Sequence, residues 1–99
     1  MDVYKIVGVG KAKAGKVREA IGATKAIAEY LSNKHDIKIE VYLQQFGPAG
    51  TIYVIGEQKD LATIQAIQAK FMADEGYWKL VQKAAEVSDP PTVALLQQV

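Results

Sequence analysis

An α+β fold, a four-stranded antiparallel sheet with its helices on one face, is predicted by three features of the chain. Segments that alternate apolar and polar residues at period two bracket segments whose apolar residues recur every three or four positions. The two middle strand segments are separated only by Phe46-Gly47-Pro48-Ala49-Gly50, a turn that makes them antiparallel neighbours. The resulting order, β-α-β-β-α-α-β, fits a single domain spanning the 99 residues.

Each element has its own signature. Val3 to Val9 sets Val3, Lys5, Val7 and Val9 against Tyr4, Ile6 and Gly8, with three β-branched residues on one side, as in a strand. From about Gly15, the spacing of Val17, Ala20, Ile21, Thr24, Ile27, Ala28 and Leu31 predicts an amphipathic helix. Ser32-Asn33-Lys34-His35-Asp36 closes it, with Asn33 suited to a left-handed cap and Lys34 and His35 placing positive charge at the negative helix end. Ile37, Ile39, Val41 and Leu43 then alternate with Lys38, Glu40, Tyr42 and Gln44, so one strand face is dry and the other wet. Thr51 to Glu57 resumes the alternation across the turn. Asp60 is placed to cap a second helix carrying Leu61, Ile64, Ile67 and Phe71 on one stripe. Gly76 is expected to interrupt that helix, and Tyr77, Leu80, Val81 and Ala84 line a further short one. Asp89-Pro90-Pro91 forbids continuation and launches a last strand from Thr92 to Val99.

This is the ferredoxin-like, split β-α-β arrangement. One sheet face packs under the helices. The other bears Tyr42 and Tyr53 interleaved with Lys38, Glu40 and Gln44, too aromatic for plain solvent and too polar for a sealed monomer core. Sheet-to-sheet packing against a second copy, around a partly polar cavity, satisfies both, so the expected partner is the chain itself.

Composition narrows the chemistry. A 49% hydrophobic, 23% charged chain has the make-up of a folded domain rather than a disordered one. Twelve Lys and Arg against eleven Asp and Glu leave +1, so no global field recruits nucleic acid or an anionic membrane. Arg18 is the only arginine, which removes most bidentate reading of phosphate or guanine. Without Cys, and with His35 as the one His, there is no thiol catalysis, no Cys or Cys/His zinc site and no multi-His metal site in one chain, and no cofactor is expected. Met1-Asp2-Val3-Tyr4-Lys5 lacks the basic and apolar regions of a signal peptide, and no apolar run nears the roughly 18 residues of a membrane span. A cytoplasmic setting is expected.

The side chains that could carry function are few. Glu40, Tyr42 and Gln44 point to one sheet face by strand spacing, with Tyr53 nearby. Burial of Glu40 would raise its pKa and let it remove a proton, while Tyr42, Gln44 and Tyr53 orient a carbonyl or phenol. His35 is a second proton-handling residue, although its place beside Asn33, Lys34 and Asp36 is also accounted for by helix capping. Trp78, near Tyr77 and Phe71, reads as helix packing or as a stacking surface for a ligand. Gly10 to Lys16 has the Gly and Gly-Lys spacing of a phosphate-binding loop, but Val17 stands where a hydroxyl must hold magnesium. The Lys11, Lys13, Lys16 and Arg18 cluster reads first as a solvated turn and second as an anion site at a helix start. Ser32 and Ser88, the only serines, assemble no hydrolase triad with the single His.

Two stretches carry a family likeness. Phe46-Gly47-Pro48-Ala49-Gly50-Thr51-Ile52-Tyr53-Val54 sends a Gly-containing turn into a β-branched and aromatic strand, and Met72-Ala73-Asp74-Glu75-Gly76-Tyr77-Trp78-Lys79-Leu80 opens the extra short helix with acidic and aromatic residues. With the element order they make the chain resemble the dimeric α+β barrel superfamily, and most of all its NIPSNAP-like proteins. The resemblance implies a homodimer. Related barrels include haem-degrading and quinone-forming monooxygenases, isomerases, stress-responsive proteins and members without known activity, and fold does not choose among them. His35 and Trp78 do not match the His, Asn and Trp set of the haem-degrading type, so no catalytic residue is carried over. Three readings follow: a homodimer that binds a small organic molecule between its sheets, a cofactor-independent monooxygenase or isomerase using Glu40, Tyr42 or His35, and a non-catalytic structural or adaptor dimer.

Overall fold

The computed structural model describes residues 3–99, so Met1 and Asp2, part of the leader reading, lie outside the described residues. Four strands and three helices follow in the expected order: β1 (Tyr4–Lys11), α1 (Val17–His35), β2 (Ile39–Leu43), β3 (Thr51–Gln58), α2 (Leu61–Met72), α3 (Glu75–Ala84) and β4 (Thr92–Gln97). The strands form one antiparallel sheet in the order β2-β3-β1-β4, the ferredoxin-like topology. With extents of 41 × 33 × 19 Å, the molecule is a thin slab, one sheet deep and one helical layer deep.

Registry assigns the faces. Val41 lies opposite Val54 and Leu43 opposite Ile52, and these side chains turn toward α1. Ile52 (3% exposed), Ala12 and the fully buried Ala20 form the centre of the core, closed by Val17, Ile21, Val41 and Val87. Alanine at 20 and 28 lets α1 lie close to the sheet, while Leu31 fills the space nearer its C-terminal end. Helix α3 packs on α1, and α2 rests on β3. All six residues of β4 are exposed.

Several boundaries differ from the sequence reading for local reasons. Gly15, at φ 74°, makes a turn in which the Lys16 amide donates to the Lys13 carbonyl, so α1 begins at Val17. The left-handed C-cap is Asp36 (φ 53°), and Asn33 stays helical, because α1 continues until His35 reaches Asp74, the N-cap of α3. Gly76 does not break a helix. The break falls at Ala73 and Asp74, and Gly76 sits in the first turn of α3, where Asp74 is the N-cap. Asp60 caps α2 as predicted, accepting from the Thr63 amide at 2.7 Å. No helix among the described residues is long and apolar enough to cross a membrane.

Candidate functional site

The face away from the helices carries Lys5, Val7, Val9 and Lys11 on β1, and Thr51, Tyr53, Ile55 and Glu57 opposite them on β3. Glu40 and Tyr42 flank Ile55 and Tyr53 on the β2 side, and Thr92, Ala94 and Leu96 flank Val9, Val7 and Lys5 on the β4 side. Its centre is apolar, with Val7, Val9, Tyr53 and Ile55 only half-buried. Two hydroxyl pairs border that centre. The Tyr42 hydroxyl donates to Glu40 Oε2 at 2.9 Å, and the Tyr53 hydroxyl donates to Gln44 Oε1 at 3.1 Å. Gln44 Nε2 in turn donates to the Phe46 carbonyl at 2.6 Å, a contact that Gly47, at φ 109°, makes room for. The hydrogen bond to the Glu40 carboxylate, and then its charge, push the Tyr42 phenol pKa up, which keeps the hydroxyl protonated and bonded to Glu40. With both phenol protons already donated to Glu40 and Gln44, a ligand on this surface meets the remaining lone pairs of a carboxylate and an amide oxygen as acceptors.

Structure thus brings Glu40, Tyr42, Gln44 and Tyr53 together on one open surface. His35 and Trp78 stand on the other side of the sheet, in the helical layer. His35 Nε2 lies 2.8 Å from Asp74 Oδ2 and its ring is tilted against Phe71 at 5.7 Å. Phe71 stacks on Tyr77, Trp78 meets Tyr77 edge-on, and the Trp78 indole donates to the Met72 carbonyl at 3.0 Å.

Asp74 is the centre of that layer, and sequence reading did not single it out. Its side chain is 2% exposed. Beyond His35, it accepts from the Tyr30 hydroxyl at 2.7 Å and the Tyr77 amide at 3.2 Å, with Lys34 Nζ at 3.3 Å. Burial pushes the Asp74 carboxyl pKa up, but the bonds from Tyr30, His35, the Tyr77 amide and Lys34 outweigh it and hold the carboxyl well below the usual carboxylate range. With every oxygen occupied, Asp74 clamps the end of α1 to the start of α3. The local signal for it was an Asp directly ahead of a Glu-Gly helix start. Gly76 is part of the clamp, since a Cβ there would overlap the Tyr30 hydroxyl. Gly76→Ala is therefore expected to lower the melting temperature by roughly 5 °C, despite the better helix propensity of Ala. In a Tyr30→Ala background the same change should be neutral or stabilising, and equal losses in both backgrounds would uncouple the two residues.

Two other features shape the surface. On the helix side of β1, a Cβ at Gly8 would have only Val54 within 4 Å, and Val93 and Leu95 of β4 beside it are 68% and 51% exposed. On the opposite face, a shallow depression of about 370 Å³ lies among Lys5, Glu57 and Leu96. Among the described residues, no group of three or more His, Asp or Glu side chains could hold a metal ion.

No protein-family model and no curated protein matches the chain. Solved structures do, and they agree on the class of fold: a ferredoxin-like α+β domain, similar in fold to NIPSNAP-like proteins. A NIPSNAP-like domain protein from Burkholderia xenovorans superposes with a TM-score of 0.81 at 11% identity, over 98% of this chain and 85% of that one. A dimeric protein of unknown function with a ferredoxin-like fold, from Bacteroides fragilis, gives 0.73 at 17% identity over 97% and 96%. An antibiotic biosynthesis monooxygenase gives 0.74 at 18% identity over 97% and 98%. At these identities the likeness is one of fold.

Proposed function

We propose that the chain is a homodimeric binding protein for a small organic molecule, with one domain per copy and the ligand held between the two open sheet faces. The observation that carries this reading is the composition of that face: half-buried Val7, Val9, Tyr53 and Ile55 with no layer over them, bordered by the Glu40–Tyr42 and Gln44–Tyr53 pairs. The dimeric relative in fold supports the assembly. A ligand bearing a hydroxyl on an aromatic or alicyclic frame suits two acceptors beside an apolar floor. The cytoplasmic setting belongs to the same proposal and rests on the cysteine-free composition.

Sedimentation should show a dimer, and a panel of phenols and hydroxylated alicyclic compounds should raise its melting temperature. Glu40→Gln and Tyr42→Phe should each weaken the binding of a hit by roughly tenfold. A monomer, or hits indifferent to both changes, would refute the reading. Conversion of a hit with loss of turnover in Glu40→Gln would favour the oxygenase or isomerase reading, which the fold likeness to a monooxygenase supports. A second location is favoured by the exposed Val93 and Leu95 beside Gly8, where an added Cβ would have only Val54 within 4 Å. Gly8→Leu would fill it, and loss of binding there with Glu40→Gln silent would move the ligand to the helix side.

A further inference from the structure

The open face carries charge as well as apolar area, and the charge has a pattern that a second copy must satisfy. Across the two central strands the rows read Lys11 with Thr51, Val9 with Tyr53, Val7 with Ile55, and Lys5 with Glu57. Two identical sheets packed face to face in the aligned class are related by a two-fold axis lying between them, running along the strands or across them. With the two faces in full overlap, so that the axis passes through the middle of the sheet, an axis across the strands exchanges the two ends of the face and places Lys5 over Lys11 of the second copy, twice, with no acid opposed to either. An axis along the strands preserves height and exchanges left and right, so β3 faces β1 of the second copy and β2 faces its β4. Lys5 then lies over Glu57 of the second copy, Glu57 over its Lys5, and Val7 and Ile55 meet in the row between. These are the central strands, where sheet twist displaces facing residues least.

We infer, on the basis of the homodimer proposed above, that the two-fold axis runs along the strands, and that each binding site is therefore composite: the Glu40–Tyr42 pair of one copy is closed by Thr92 and Ala94 of the other. The rows containing Tyr42 and Glu40 end, across the sheet, at Thr92 and Ala94. Exchange of left and right sets those two small side chains over the large polar pair. Small residues facing a larger polar pair leave the ligand its room at each of two equivalent seams, while Val7, Val9, Ile55 and Tyr53 meet at the centre of the interface.

Charge reversal separates the two axes. Lys5→Glu and Glu57→Lys should each weaken the dimer by roughly tenfold or more, and an equimolar mixture of the two variants should form a heterodimer close to wild type in strength, because both facing pairs become Glu with Lys. The neighbouring contact within each copy stays like-charged in that mixture, so rescue reports on facing pairs alone. Lys5→Glu that strengthens the dimer, by meeting Lys11, or a mixture without rescue, overturns the inference. The absence of cysteine permits an independent measurement. Facing sheets lie about 10 Å apart, beyond disulfide reach, so a short bismaleimide is the probe. A mixture of Tyr42→Cys and Thr92→Cys proteins should give a crosslinked heterodimer, and neither alone should crosslink. Efficient crosslinking between Tyr42→Cys and Glu40→Cys proteins, with none to Thr92→Cys, overturns the inference. A wild-type monomer refutes the dimer itself, whereas a dimer that fails these tests refutes only the axis and the composite site.

Discussion

Asp74→Ala should lower the melting temperature at neutral pH by roughly 10 °C or more, measured by circular dichroism on a 99-residue chain. Three kinds of loss coincide at this residue. The substitution removes the N-cap of α3, strands the Tyr30 hydroxyl and His35 Nε2 in a largely buried layer, and releases Lys34 from its counter-charge. Asp74→Asn keeps an oxygen for the Tyr77 amide and the Tyr30 hydroxyl but loses the negative charge, so it should fall between Ala and wild type. The acid side carries a distinct signature. Because the folded carboxyl ionises below its ordinary value of 3.8, its stabilisation is complete above that value and drains away as pH falls toward the folded one. Wild type should therefore lose stability below about pH 4 more steeply than Asp74→Asn, and parallel acid profiles would contradict the clamp.

Ile52→Ala should cost about 2–5 kcal/mol, because Ile52 is 3% exposed at the centre of the core and the side chains around it, Ala12, Ala20, Val17 and Val41, sit on a rigid sheet and helix that collapse poorly into a void. Three residues along the same strand the outcome differs in kind. Ile55 points to the open face, so Ile55→Ala should leave a dilute monomer near wild-type stability while weakening the proposed dimer, and its melting temperature should depend on protein concentration more strongly than that of Ile52→Ala. Equal, concentration-independent losses at both positions would mean that β3 buries both of its faces within one copy.

The contrast between those two residues was legible in the sequence. Strict alternation through Ile39, Val41 and Leu43 separates the two faces of β2 without any tertiary information, and the Gly-Pro turn then carries the same parity into Ile52 and Val54. The grouping of Glu40, Tyr42 and Gln44 followed from that parity, and Tyr53 joins them through a hydrogen bond across the hairpin. The helical layer was harder to read. Periodicity tells which side of a helix is apolar but not which neighbour it meets, so nothing local placed Trp78 and His35 on the far side of the sheet from Glu40. Asp74 draws Tyr30 and His35 from 44 and 39 residues away, a separation at which no spacing rule operates. Gly76 was misleading for a related reason: glycine weakens a helix interior, but here it occupies a first turn already capped, and its missing side chain is what Tyr30 requires.

The placement of β4 bears on how the molecule comes into being. That strand is hydrogen-bonded along one side only, to β1, and no part of it enters the cluster around Ala20 and Ile52. On a ribosome, residues 92–97 emerge after the other six elements described, so the three-stranded sheet and all three helices can settle before β4 joins them. An axis along the strands seats each Glu40–Tyr42 pair on the other copy's β4, which means that the seams of the proposed dimer would be completed only once β4 has joined the sheet, after the central strands are already in place.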